Sequence, residues 1–172
     1  MDELKPAVRA AGMRPVPVDY ALFDYPQAFA DAEAAARRFR GRTVYAYGES
    51  AGGTLAGWLA GRHLVSAAAA NSAIVNLSVY VRALKASNPQ HVDLYEAASG
   101  GEGFVRKHSL EALSGEPLRL YGNCRDPVAP CGLALKYAHH YRRVSWRHAG
   151  VGHIANRVPT VERALAWFRA GA

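Results

Sequence analysis

Short β-branched or aromatic runs alternate along the chain with longer stretches in which apolar residues recur at helical spacing. That alternation predicts an α/β fold on a parallel sheet. Residues 3–11 read as a helix stopped by Gly12, and "MRPVPVDY" follows as an extended run whose two prolines suit an edge strand. An amphipathic helix is predicted over 26–40, with Phe29 and Phe39 among its apolar members and Gly41 as its stop. "RTVYAYG" reads as a strand and "SAGGTLAGWLAGR" as a helix whose small residues let it lie close to the sheet. "LVSAAAANSAIVNL" reads as a buried strand with its exit loop.

From about Ser78 to Leu113 the character changes, with short helices at "VYVRALKAS" and "HVDLYEAAS" and a glycine-rich "SGGEG" link. This stretch, 78–113, resembles an inserted cap more than a core element. Strand signals return at "PLRLYG" and "RVSWRHA", helical ones at "CGLALKYAHHY" and "TVERALAWFRAG". The sum is about five parallel strands with helices on both faces. There is no internal repeat and no low-complexity tract, and 172 residues suit one domain over 1–172.

Composition narrows the class. Half the residues are hydrophobic and a fifth charged, as in a soluble globular protein, and no charge-free apolar run is long enough for a membrane span. The first residues, "MDELKPAVRAAG", lack the pattern of a secretory signal, so a cytoplasmic location is the expectation. Cys124 and Cys131 are expected to be reduced structural thiols, with a local disulfide as the alternative. The net charge of +7 favours acidic partners, among them an acidic carrier protein. Its densest groups, Arg37, Arg38, Arg40 and Arg42, then Arg142, Arg143 and Arg147, lack the aromatic interleaving of a nucleic-acid module. A solvated helix end explains the first group.

The candidate chemistry lies at "YAYGESAGGTLAG". Gly48, Ser50 and Gly52 fit G-x-S-x-G, a turn from strand to helix that exposes the serine hydroxyl above helical N–H groups. The motif is short enough to arise by chance, and its position between a predicted strand and a predicted helix gives it weight. A serine needs a base, and the base needs an acid that fixes its tautomer. Asp126 falls in a loop after a strand, stiffened by Pro127 and Pro130, and His153 in a glycine-flanked loop between the last strand and the last helix. His148 is the competing base, while His63, His91, His108, His139 and His140 lack this context. Asp19, Asp24 and Asp31 precede the serine and Asp93 lies in the cap-like stretch, which leaves Asp126 as the acid. Turn formation before Pro127 would also suit it.

Through "VPVDYALFDYPQAFADAEAAARRF", "VYAYGESAGG", "LRLYGNCRDPVAP" and "GVGHIANR", the chain resembles the α/β-hydrolases. Within them it is most similar to the esterase and lipase branch around hormone-sensitive lipase, with an echo of the prolyl-oligopeptidase catalytic domain. The resemblance implies a minimal α/β-hydrolase fold, shortened at the N-terminus, with Ser50 as nucleophile, Asp126 as acid, His153 as base and the Ala51 N–H as one oxyanion donor. Such enzymes carry an HGGG-type loop for the second donor, and no His-Gly-Gly occurs here. With the usual intervening strand missing, "MRPVPVDY" is expected to pair with the nucleophile strand, and a backbone N–H of Ala21 or Leu22 to be the second donor.

The expected activity is that of a serine esterase or thioesterase acting on a small-molecule or carrier-bound substrate, with no cofactor or metal. Tyr80, Leu84, Tyr95 and Phe104, together with Leu94, are candidates for an acyl pocket, although such residues are more often plain core. Alternatives are a binding module that keeps the fold without turnover, and an acyltransferase or cyclase using the same acyl-enzyme.

Overall fold

A run of four alanines, "AAAA", followed by Asn71 forms the strand on which the molecule is centred, buried on both faces. The computed structural model describes residues 2–154 and 156–172. Its sheet has four strands, β1 (Tyr45–Glu49), β2 (Ala67–Asn71), β3 (Leu118–Gly122) and β4 (Val144–His148), in spatial order β1-β2-β3-β4. All neighbours are parallel, with Tyr45 opposite Ala67, Ala68 opposite Leu118 and Leu118 opposite Val144. A parallel sheet needs a crossover between successive strands, and helices make all three.

The helices are α1 (Lys5–Ala10), α2 (Tyr25–Arg37), α3 (Ala51–Gly61), α4 (Leu77–Ser87), α5 (Val92–Ser99), α6 (Glu102–His108), α7 (Cys131–His140) and α8 (Arg157–Arg169). Because side chains alternate along a strand, each face of the sheet carries its own core. Ala68, Ala70, Leu118 and Leu120 face α2, α3 and α7 and the helical stretch between β2 and β3. Ala67, Ala69 and Tyr121 face α1 and α8, where Val161, Leu165 and Phe168 are buried. Alanine on β2 keeps both layers close to the sheet.

α3 uses small residues in the same way. Gly53, Gly57 and Gly61 are four apart and so lie along one side of the helix. A Cβ on Gly57 would come within 2.7 Å of Leu110 Cδ1, and one on Gly61 within 2.7 Å of Leu113 Cβ. Leu110, fully buried, thus sits against a helix that has no side chain to oppose it. Burying such a leucine contributes about 1.5–3 kcal/mol.

The stretch between β2 and β3 is helical, as the sequence predicts, and packs on α2 through Phe29, Phe104, Trp58 and His108. Phe104 and His108 stack at 3.7 Å, and Phe29 meets Trp58 edge-on at 5.2 Å. α2 begins one residue before the expected start and ends at Arg37, so Phe39 falls in the turn beyond it. Its N-cap is Asp24, whose side chain accepts the Gln27 N–H at 2.9 Å.

The fifth strand is corrected. Residues 13–21 form no strand and the described sheet has four strands, so "MRPVPVDY" makes no ladder with β1. Pro15 and Pro17 have no N–H to donate, and the alternate side chains Val16 and Val18 are 46% and 40% exposed. The run therefore gains neither ladder bonds nor a buried face from pairing. Among the described residues no helix is long and apolar enough to cross a membrane.

Gly57→Ala should lower unfolding stability by about 1–3 kcal/mol, because Leu110 must be displaced to admit the methyl group. In α7, Gly132, whose Cβ would meet nothing within 4 Å, is the control. Gly132→Ala should be neutral or stabilising by up to about 1 kcal/mol, both changes being read from urea denaturation.

Candidate active site

At the end of β1 the chain turns through Ser50, with φ 52° and ψ −120°, directly into α3. Such a backbone costs a non-glycine residue about 1–3 kcal/mol, and its surroundings must hold it. One restraint is the Ser50 N–H, which donates to the Asn71 carbonyl at 2.9 Å and so extends the β1–β2 pairing through the serine. A second is the absence of side chains: a Cβ on Gly48 would lie 2.0 Å from the Gly52 carbonyl oxygen. The turn closes only with glycine at 48.

The two loops proposed from sequence meet this serine. His153 Nε2 lies 3.0 Å from Ser50 Oγ, and His153 Nδ1 lies 3.0 and 2.9 Å from the two oxygens of Asp126. An ionised carboxylate can only accept, so Nδ1 carries the proton and Nε2 is left to accept from the serine hydroxyl. Burial alone would push the Asp126 carboxyl up. The Ala129 N–H, the His153 ring, the Val128 N–H and the Ser72 hydroxyl outweigh it and hold the group below the usual carboxylate value. Asp126 Oδ1 accepts Val128 N–H at 2.8 Å and Ala129 N–H at 2.9 Å.

Several residues that the sequence did not single out fix these loops. Asn123, buried at the end of β3, accepts the Arg125 N–H at 2.8 Å and donates to the Gly152 carbonyl at 2.5 Å, joining the Asp126 loop (the acid loop of the sequence expectation) to the His153 loop (its base loop). Ser72, just beyond β2, accepts the Ile154 N–H at 3.2 Å, and its hydroxyl adds to the groups that hold the Asp126 carboxyl down in pKa. Glu49, the variable residue of the motif, accepts Tyr47 Oη at 3.0 Å and Arg157 Nε at 2.7 Å. Arg157 also pairs with Glu3, so the start of α8, and with it the base loop, is tied to β1 and to the first residues. Polar residues at strand ends are the only sequence signal these share.

Cys124 and Cys131 are joined as a disulfide across the acid loop, which corrects the expectation of reduced thiols. Once Asp126 turns the loop back through two of its own N–H groups, the two Cα atoms stand 4.5 Å apart, within bonding reach. Cys124 is exposed and Cys131 buried.

The competing residues are placed elsewhere. His148 is exposed at the end of β4, His63 pairs with Glu116 on the surface, and His139 and His140 end α7. His108 belongs to the aromatic cluster between α2, α3 and α6. Asp31 lies on α2 and accepts the Ala21 N–H at 3.2 Å and Gln27 Nε2 at 2.7 Å. The Ala21 N–H, one of the two backbone donors expected at the oxyanion, is therefore engaged with Asp31. Leu22 follows in a turn, its side chain 54% exposed.

Ala51 opens α3, where an N–H has no acceptor within the helix. Of the acyl-pocket candidates, Tyr80 is half-buried on α4 beside Tyr25 and Tyr95, Leu84 is half-buried on the same helix, and Phe104 is held in the stack with His108. Arg37, Arg40, Arg42 and His63 line a groove at the opposite ends of the strands from Ser50, as the loops leading into β1, β2 and β3 require.

No protein-family model matches the sequence, and no curated relative is detected. Solved structures do match in fold. An acetyl ester-xyloside bifunctional hydrolase from Caldicellulosiruptor lactoaceticus superposes with a TM-score of 0.73 at 15% identity, covering 98% of this chain and 75% of that one. The esterase domain of a Rhodothermus marinus protein gives 0.72 at 21% identity, covering 98% and 78%. A lipase/esterase from Lactobacillus plantarum gives 0.67 at 16%, covering 99% and 78%. The fold of this chain is a minimal α/β-hydrolase fold.

The carboxyl of Asp126 sits below its unfolded value, so it adds stability above about pH 4 that is lost as pH falls through the lowered folded value. The stability gap between the parent and Asp126→Asn should accordingly narrow as pH falls below about 4 in urea titrations. Replacing both cysteines by serine should cost about 2–3 kcal/mol by the same method, the entropy of freeing a loop of this length.

Proposed function

We propose that the chain is a serine hydrolase that cleaves carboxylic esters or thioesters through an acyl-enzyme on Ser50. The observation that carries this reading is the unbroken hydrogen-bond path from Ser50 Oγ through His153 to the buried carboxylate of Asp126. A serine held only for a tight turn needs no such path.

In the proposed reaction Ser50 Oγ attacks the acyl carbon while His153 Nε2 takes the hydroxyl proton, and the carbonyl π pair moves to oxygen. Asp126 stabilises the imidazolium that forms, and its four donors keep it ionised while it does so. The Ala51 N–H, at the positive end of α3, lies where the oxyanion develops. Collapse expels the alcohol or thiol with the proton from His153, and water repeats the sequence to free the acid.

The surroundings favour an apolar acyl group. Phe23, Val151 and Val128 are 80%, 77% and 38% exposed, on the loop before α2, the base loop and the acid loop respectively. Residues 78–113 form the cap in this reading, and Tyr80, Leu84 and Tyr95 on it are the proposed contacts for the acyl chain. Phe104, fixed in its stack, shapes the wall rather than adapting to substrate. A small-molecule ester fits better than an acidic carrier, because the groove of Arg37, Arg40 and Arg42 lies at the other end of the sheet.

A fluorophosphonate probe should add one equivalent to the parent by intact mass and none to Ser50→Ala. Hydrolysis of p-nitrophenyl acyl esters should fall roughly 10⁴-fold or more in Ser50→Ala and in His153→Ala, since either change disables the same unit. A folded parent that neither labels nor turns over such esters would overturn the reading.

A further inference from the structure

The acyl-enzyme reading requires more than one donor at the oxyanion, since a single donor is worth about 10²–10³ in turnover. Of the backbone donors expected at Ala21 or Leu22, that of Ala21 is committed to Asp31. The residue before it offers another group. The half-buried Tyr20 packs against the core on the α2 and α3 side of the sheet, and its side chain extends over the first turn of α3. There its hydroxyl oxygen stands 3.3 Å from where a Cβ of Gly52 would be, near enough for the Gly52 N–H to draw the phenol down in pKa.

We infer that the Tyr20 hydroxyl is the second oxyanion donor, a catalytic residue that works beside the Ala51 N–H; the inference rests on the acyl-enzyme reading above.

Three features of the geometry support it. A phenol has one proton and two lone pairs, so a hydroxyl whose oxygen faces the Gly52 N–H still has its own proton to give. Gly52 is next to Ala51, and N–H groups in the first helical turn point out of the same end of the helix. The Tyr20 oxygen, which lies against Gly52, is therefore brought to the end of α3 where the Ala51 N–H is directed. Finally, Gly52 has no side chain, and any substituent there would press on the Tyr20 oxygen.

Burial also pushes the Tyr20 phenol up, against the Gly52 N–H that pulls it down, so the group is neutral and protonated near pH 7. It donates a hydrogen bond as the carbonyl oxygen gains charge and transfers no proton. Because that bond strengthens only as charge develops, it acts on kcat more than on KM.

Tyr20→Phe keeps the packed ring and removes only the hydroxyl. With p-nitrophenyl butyrate, kcat should drop about 10²-fold with KM changed less than about threefold. Affinity for a trifluoromethyl ketone, which forms the tetrahedral adduct on Ser50, should fall in proportion to kcat/KM. A merely structural tyrosine would lower the melting temperature and leave the ketone affinity in step with KM instead. Parent turnover with Tyr20→Phe within about twofold of it would overturn the donor and leave the acyl-enzyme reading standing. A parent that hydrolyses no ester and takes no fluorophosphonate would overturn both.

Should Tyr20→Phe lose its circular dichroism signal, 3,5-difluorotyrosine at position 20 serves in its place. Its more acidic hydroxyl ionises at lower pH, so the alkaline limb of kcat should move down. A limb that stays where the parent has it would overturn the donor.

Discussion

Closure of the turn at Ser50 is the constraint from which the rest of the site follows. A positive φ on a serine is unfavourable by itself, and it persists because the Ser50 N–H is bound to Asn71 while glycine at 48 leaves room for the Gly52 carbonyl. The strain does structural work. It lifts the hydroxyl clear of the sheet and starts α3 in the next residue, so the serine hydroxyl and the helical N–H groups come from one stretch of backbone. Without the turn, the loops after β3 and β4 would have nothing to converge on.

Those loops are then held by polar contacts rather than by apolar burial. Asp126 satisfies its buried charge with two N–H groups of its own loop, the Ser72 hydroxyl and the His153 ring, so the carboxylate is held ionised in its loop. Asn123 and Ser72 reach from the ends of β3 and β2 to the base loop. The Glu49–Arg157 pair anchors α8, the far end of that loop, to the strand that carries the serine. Each contact joins two of the segments that must meet, so the site is rigid although its loops are short and rich in glycine.

Most of the architecture was legible in the sequence because helix and strand differ in hydrophobic period, and β1 to β4 and α2, α3, α7 and α8 fall where that period places them. The failures have physical causes. "MRPVPVDY" has the alternation of a strand, but two prolines remove ladder donors and both valines face solvent, and a period does not show whether a partner exists. The cysteines are seven apart, a spacing that allows pairing without requiring it; the fold of the Asp126 loop brings them together. The Ala21 N–H was a reasonable donor by position, and it was claimed by a carboxylate ten residues away on α2.

The sequence by itself determined the order of elements and the meeting of Ser50, Asp126 and His153 as an expectation, because strand-end loops of one parallel sheet converge at one edge. Tertiary structure alone decided which contacts hold that meeting: Asn123 to Gly152, Ser72 to Asp126 and Ile154, Glu49 to Arg157, and Tyr20 over Gly52. Each joins residues that are far apart in the chain and individually ordinary. Their roles come from distance and direction between elements, which periodicity does not encode.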